Sequence, residues 1–134
     1  MSRRFEDVEF GEDLPEIPIE TAMANVRRFT RAAGMSHARF DDHEAAREQG
    51  LPGAIVPGIM SQGALAALIH RWAPGCTIDR IDTVFRAPLL VDRPAHCRGV
   101  VTDLDETTRS VEVDLTVTNE TGETRVLGTA TVRL

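Results

Sequence analysis

The sequence predicts a single α+β domain in which one antiparallel sheet wraps around one long apolar helix. Two observations carry this. The stretch GIMSQGALAALIHRW, residues 58–72, is apolar almost all round, and a helix without a polar face is a buried one. From residue 76 onward the pattern changes to period two with β-branched residues, the rhythm of strands half buried on a core. The chain has 134 residues, 42% of them hydrophobic, which suits one domain with a real core. A chain this short buries only about two-thirds of its unfolded surface, which favours an oligomer.

The elements follow in order. MSRRFEDVEFGED is charged and reads as a loose lead-in. LPEIPIE (14–20) alternates and reads as a short edge strand, since Pro15 and Pro18 each remove a ladder donor. Thr21 is the expected N-cap of a helix with Ala22, Val26, Phe29 and Ala33 on its apolar face and Arg27, Arg28 and Arg31 outside; Gly34 stops it. Asp42 caps a short helix, HEAAREQ, which Gly50 ends. The loop LPGAIVPG leads into the apolar helix, which Ser61, Gly63, Ala64, Ala66 and Ala67 keep thin. TIDRIDTVFRAPL, AHCRGVVTDLDE, RSVEVDLTVTNE and TRVLGTATVRL are four consecutive antiparallel strands, and Asn119 with Gly122 makes the last connection a hairpin turn.

Composition excludes several functions. A net charge of −6 argues against nucleic acid as a partner. All basic residues are Arg, so Schiff-base chemistry, which needs a lysine amine, is ruled out. Cys76 and Cys97 show no metal spacing and are expected as two buried reduced thiols. His37, His43, His70 and His96 form no H-x-H or H-E-x-x-H pattern, so no metal site is expected, and no cofactor is implied. No apolar run approaches 18 residues and no N-terminal h-region is present; the expectation is a soluble, cytoplasmic chain with no membrane contact.

Certain words of the sequence resemble a known family. FGEDLPEIPIE, VRRFTRAAG and TVFRAPLLVDRP resemble the opening strand, the helix before the active loop and the F-x-x-P-V-x-x-G-D strand of the MaoC-like hydratase/dehydratases, with Arg93 near the usual Gly-Asp. The resemblance covers nearly the whole chain. It implies a hot-dog fold, a dimer, and an acyl thioester of coenzyme A or acyl carrier protein as ligand. The family's active loop reads G-D-x-N-P-x-H-x-D, followed by an acidic/alanine helix and an H-G at the buried helix. GMSHARFDDHEAA keeps that frame: Gly34, Asp42, Ala45, Ala46 and Gly58 stand where the family has them. The proton-transfer groups do not. Met35 occupies the Asp position, Phe40 the His position, and Pro57 precedes the helix glycine.

Hydration of an enoyl thioester needs one group to activate water, another to deliver a proton, and a donor for the enolate-like oxygen. By the resemblance, only the last survives, as the backbone N–H at Gly58. Met35 and Phe40 are either core residues of a loop turned structural or, with Ile59 and Met60, the lining of an apolar acyl pocket. His37 is the one titratable loop residue that could replace the lost His; an exposed loop histidine is the alternative. Asp41 is expected solvated, and Asp42 is a helix cap. Ser61, one turn into the apolar helix, either bonds a ligand or is a small packing residue. Arg86, Arg93 and Arg98 either meet a coenzyme A diphosphate or are scattered surface charges. His43 reads as a surface residue and His70 as a partner of the helix C-terminus.

These residues imply an acyl-thioester-binding protein, the catalytically degenerate partner of a MaoC-like hydratase subunit. The alternatives are an active hydratase or thioesterase using His37 with a carboxylate, and a non-catalytic acyl-CoA-binding homodimer.

Overall fold

The computed structural model describes residues 2–134. Its sheet has five antiparallel strands in the order β1-β3-β4-β5-β2: β1 Ile17–Pro18, β2 Thr77–Phe85, β3 His96–Asp105, β4 Ser110–Thr118 and β5 Thr124–Arg133. Period-two patterning decides which side chains face inward. Val101, Val113 and Ala130 lie in register across three strands, as do Cys97, Val117 and Val126, and all six are buried. Helix α4, Gly58–Trp72, lies on this face and buries Leu65, Leu68, Ile69 and Trp72. Each such side chain contributes about 1.5–3 kcal/mol on leaving water. Cys76 and Cys97 are both free, and burial pushes the Cys97 thiol up to about 12.

Three expectations are corrected by side-chain contacts that local sequence does not show. The apolar helix is not buried all round. Ile59, Gly63, Ala67 and His70 form an exposed stripe along α4, with Ile59 54% exposed. One sheet can cover only one side of a cylinder, so the other side is left bare. Nor is the N-terminus a loose lead-in. Phe5 and Val8 are buried, and Glu12 accepts a hydrogen bond from Trp72 Nε1 at 2.9 Å and an ion pair from Arg3. The indole N–H at the far end of α4 needs a partner once buried, and Glu12 supplies it.

Helix α1, Met23–Ala32, ends at Gly34 with φ +67, as the sequence predicts, but Thr21 does not cap it. The Thr21 hydroxyl donates to the Arg93 carbonyl at 2.7 Å. The cap comes from 69 residues away: Asp92 Oδ1 accepts the Met23 N–H at 2.9 Å. Asp92 has φ +67, a backbone state that Asp tolerates better than most residues. His43 and the Met23 N–H, in that order, hold its carboxyl below the usual range.

A group whose folded pKa is depressed stabilises the fold above its unfolded value, and that contribution is lost as pH falls through the folded value. Asp92→Asn, which keeps an acceptor for Met23, therefore flattens the loss of stability below about pH 4. Asp92→Ala removes the cap and lowers stability by about 1–2 kcal/mol at neutral pH. Urea titrations at several pH values measure both effects.

Candidate functional site

Pro57 sets the head of α4. It stands at the cap position with φ −56 and offers no side-chain cap, and the first turn carries no acidic residue. The N–H groups of Gly58 and Ile59 have no acceptor among the described residues, so the positive end of the helix is unopposed. A cavity of about 290 Å³ opens beside this end, lined by Gly58, Ser61, Ile55, Phe85, Leu89 and Val126 among others.

Phe85 explains the glycine. A Cβ on Gly58 would sit 3.0–3.1 Å from three atoms of the Phe85 ring, so with Gly here the ring packs closer to the helix head than a larger residue would allow without a shift. Ser61 is 1% exposed at the wall of the cavity. The only ionisable side chain lining the cavity is Arg86. The arrangement can receive a carbonyl oxygen and an apolar chain, and among the described residues no carboxylate, histidine or thiol lines the cavity.

The loop of the sequence motif lies alongside. It carries two short helices, α2 Ala38–Asp41 and α3 His43–Glu48. His37 caps α2, its Nδ1 accepting the Arg39 N–H at 3.1 Å, and the residue is exposed with no carboxylate on its ring. Phe40 is half-buried against the core, with the His37 ring edge-on at 6.2 Å and Arg39 over it at 5.4 Å. Met35 is half-buried and its N–H bonds the Thr30 carbonyl. The loop touches the helix approach through the Ile55 N–H, which bonds the Arg39 carbonyl at 2.9 Å, and through His43, which accepts the Ala54 N–H at 3.0 Å.

Asp42 caps α3, as the sequence predicts, by accepting the Ala45 N–H at 3.0 Å, and that bond lowers its carboxyl pKa. Asp41, expected solvated, is instead a tie. It accepts from the buried Thr30 hydroxyl at 3.0 Å and the His37 N–H at 3.1 Å, while its carbonyl accepts two bonds from Arg27. Those contacts hold the loop to α1.

The predicted site residues do not all converge. Gly58, Ser61 and Arg86 share the cavity. Met35, His37, Phe40, Ile59 and Met60 are not among its lining residues; Met60 packs against the core and Ile59 faces out. Arg93 lies in a separate cleft of about 280 Å³ with His43 and Arg47, and Arg98 pairs with Glu16 at 3.1 Å. Sequence reasoning missed Phe85, Ile55, Leu89 and Val126 as cavity walls. The F-x-x-P segment carrying Phe85 and Leu89 was the available signal.

His43 is not the simple surface residue expected. Its Nδ1 accepts the Ala54 N–H at 3.0 Å and its Nε2 meets Asp92 Oδ2 at 2.9 Å. Among the described residues no group of three His, Cys, Asp or Glu side chains is placed to hold a metal, and no helix is long and apolar enough to cross a membrane.

With this geometry in place, known structures identify the class. The fold is the hot-dog fold of the MaoC-like dehydratases and (R)-hydratases. An (R)-hydratase from A. caviae involved in PHA biosynthesis superposes with a TM-score of 0.91 at 19% identity, over 96% of this chain and 98% of that one. A MaoC-like dehydratase gives a TM-score of 0.91 at 26% identity, over 99% of this chain but 42% of the other, so this chain spans about two-fifths of that protein. The ChsH1–ChsH2 complex from Mycobacterium tuberculosis gives 0.85 at 19% identity, over 95% of this chain and 98% of that one. No protein-family model matches the sequence, and no curated protein sequence matches it.

Proposed function

We propose that this chain binds acyl thioesters of coenzyme A or acyl carrier protein at the head of α4. In this reading it is the catalytically degenerate partner in a heteromeric (R)-type enoyl-thioester hydratase or dehydratase. The observation that carries the reading is a contrast between the helix head and the loop joined to it. The free N–H group of Gly58 lies at a largely apolar cavity, while the loop positions that match the family's acid and base hold Phe40 and Met35, neither of which lines that cavity. Such a site stabilises a thioester oxygen without moving a proton.

The partner is a MaoC-like chain with the D-x-N-P-x-H loop intact. Strand β2 is a nine-residue edge with no neighbour on its outer side, and Val84 and Phe85 at its end are 63% and 50% exposed. Next to the bare stripe of α4, this edge supports sheet-to-sheet pairing with a similar domain. The ChsH1–ChsH2 complex offers a precedent for two such chains together. Co-purification with a chain of that kind, followed by a crotonyl-CoA hydration assay, is the test. Activity in the mixed complex that Gly58→Val in this chain reduces by at least tenfold is the expected result; indifference to that change rejects the reading.

A second reading, an active hydratase or thioesterase working through His37, draws on one observation: the exposed His37 ring has a hydrogen-bond partner only at Nδ1. Activity of the isolated chain that vanishes in His37→Ala would establish it. An acyl-CoA-binding homodimer is the third outcome, marked by binding and a twofold mass with no turnover.

A further inference from the structure

We propose that His43, oriented by Asp92, is a positioning residue that fixes residues 54–58 and so aims the N–H donors at the head of α4. The inference deepens the thioester-binding reading and depends on it only for the ligand.

Three consecutive amides lead into that helix, and each is held by a different element. The Val56 N–H bonds the Leu89 carbonyl at 2.8 Å and the Ile55 N–H bonds the Arg39 carbonyl at 2.9 Å. The Ala54 N–H is held by a side chain, His43 Nδ1, at 3.0 Å. Since Nδ1 accepts, the ring proton is on Nε2, which then donates to Asp92 Oδ2 at 2.9 Å. The other Asp92 oxygen caps α1 at Met23. One carboxylate therefore ties α1, α3 and the approach to α4 together through a single imidazole.

Gly53 is part of the device. A Cβ there would lie 3.0 Å from His43 Nδ1, so any larger residue would have to push the ring back from the Ala54 amide by a few tenths of an ångström. Both ring nitrogens are engaged by groups of the chain itself, which gives His43 a positioning role. Arg47 and Arg93 share the cleft with the pair, and Asp42 adjoins it in sequence.

Two substitutions separate the halves of the clasp. His43→Asn keeps an acceptor near Nδ1 and loses the reach to Asp92; His43→Gln keeps a donor near Nε2 and loses the acceptor. Gly53→Ala attacks the same bond from the other side. The readouts are imidazole ¹⁵N shifts in the wild type, amide exchange at Ala54 and Ile55, and the dissociation constant for butyryl-CoA.

The expected result is the Nε2–H tautomer in the wild type. Exchange at Ala54 and Ile55 should be about fivefold faster in His43→Gln and Gly53→Ala, with butyryl-CoA binding weakened by a similar factor, the size of one lost hydrogen bond. His43→Asn should stay within about twofold of wild type in both. An Nδ1–H tautomer overturns the proposal. So does a set of variants that all lower the melting temperature but leave exchange and affinity unchanged. If the wild type fails to bind butyryl-CoA at millimolar concentration, the thioester reading falls, and the exchange data alone decide the clasp.

Discussion

Met35→Asp and Phe40→His, made together, raise hydration of crotonyl-CoA by several orders of magnitude over the parent chain. Each proton-transfer group supplies roughly 10²–10⁴-fold, and both roles must be filled, so either single change alone does little. The scaffold for this is present. Thr30 and the His37 N–H hold the Asp41 carboxylate, and the next residue, Asp42, caps α3. Both sites of substitution are half-buried, so a new Asp and His lose some hydration, which their mutual pairing limits. The N–H groups at Gly58 are already free. Assays of both singles and the double, with thermal melts to verify folding, measure the effect. A well-folded double variant without gain would mean that these two positions do not face the helix head.

Leu68→Ala has the largest expected effect on stability. Leu68 is fully buried in α4, and truncating such a residue costs about 2–5 kcal/mol through lost transfer energy and the cavity left behind. Domains of this kind hold about 5–15 kcal/mol in total, so the melting temperature drops by roughly 10 °C or more. Ile59→Ser, nine positions earlier on the exposed stripe of the same helix, changes the stability of the single chain by less than about 0.5 kcal/mol but weakens its assembly. Calorimetry and analytical ultracentrifugation read the two effects separately. Equal destabilisation by both substitutions would contradict the one-sided burial of α4.

Local pattern made much of the fold legible. The apolar run 58–72 and the period-two C-terminal half mark the elements that form the core, and Gly34 and Asp42 act where their chemistry places them. Contacts between distant residues were not legible. Thr21 has a good capping side chain, yet Asp92 does the capping, because the return of the chain beside α1 cannot be seen in either segment alone. The charged lead-in hides Glu12 beneath Trp72 for the same reason. At the site, the motif frame pointed to Gly58, which lines the cavity. The cavity walls Phe85, Leu89 and Val126 come from segments that only the sheet brings to the helix head.

The central claim is binding without turnover. Calorimetric titration of the isolated chain with butyryl-CoA, alongside crotonyl-CoA hydration by the same sample, tests it most directly. The account predicts saturable binding that Gly58→Val weakens by at least tenfold, with a turnover number far below the ordinary range of about 1–10³ s⁻¹. Turnover within that range by the chain alone, or no binding at millimolar butyryl-CoA, would contradict it.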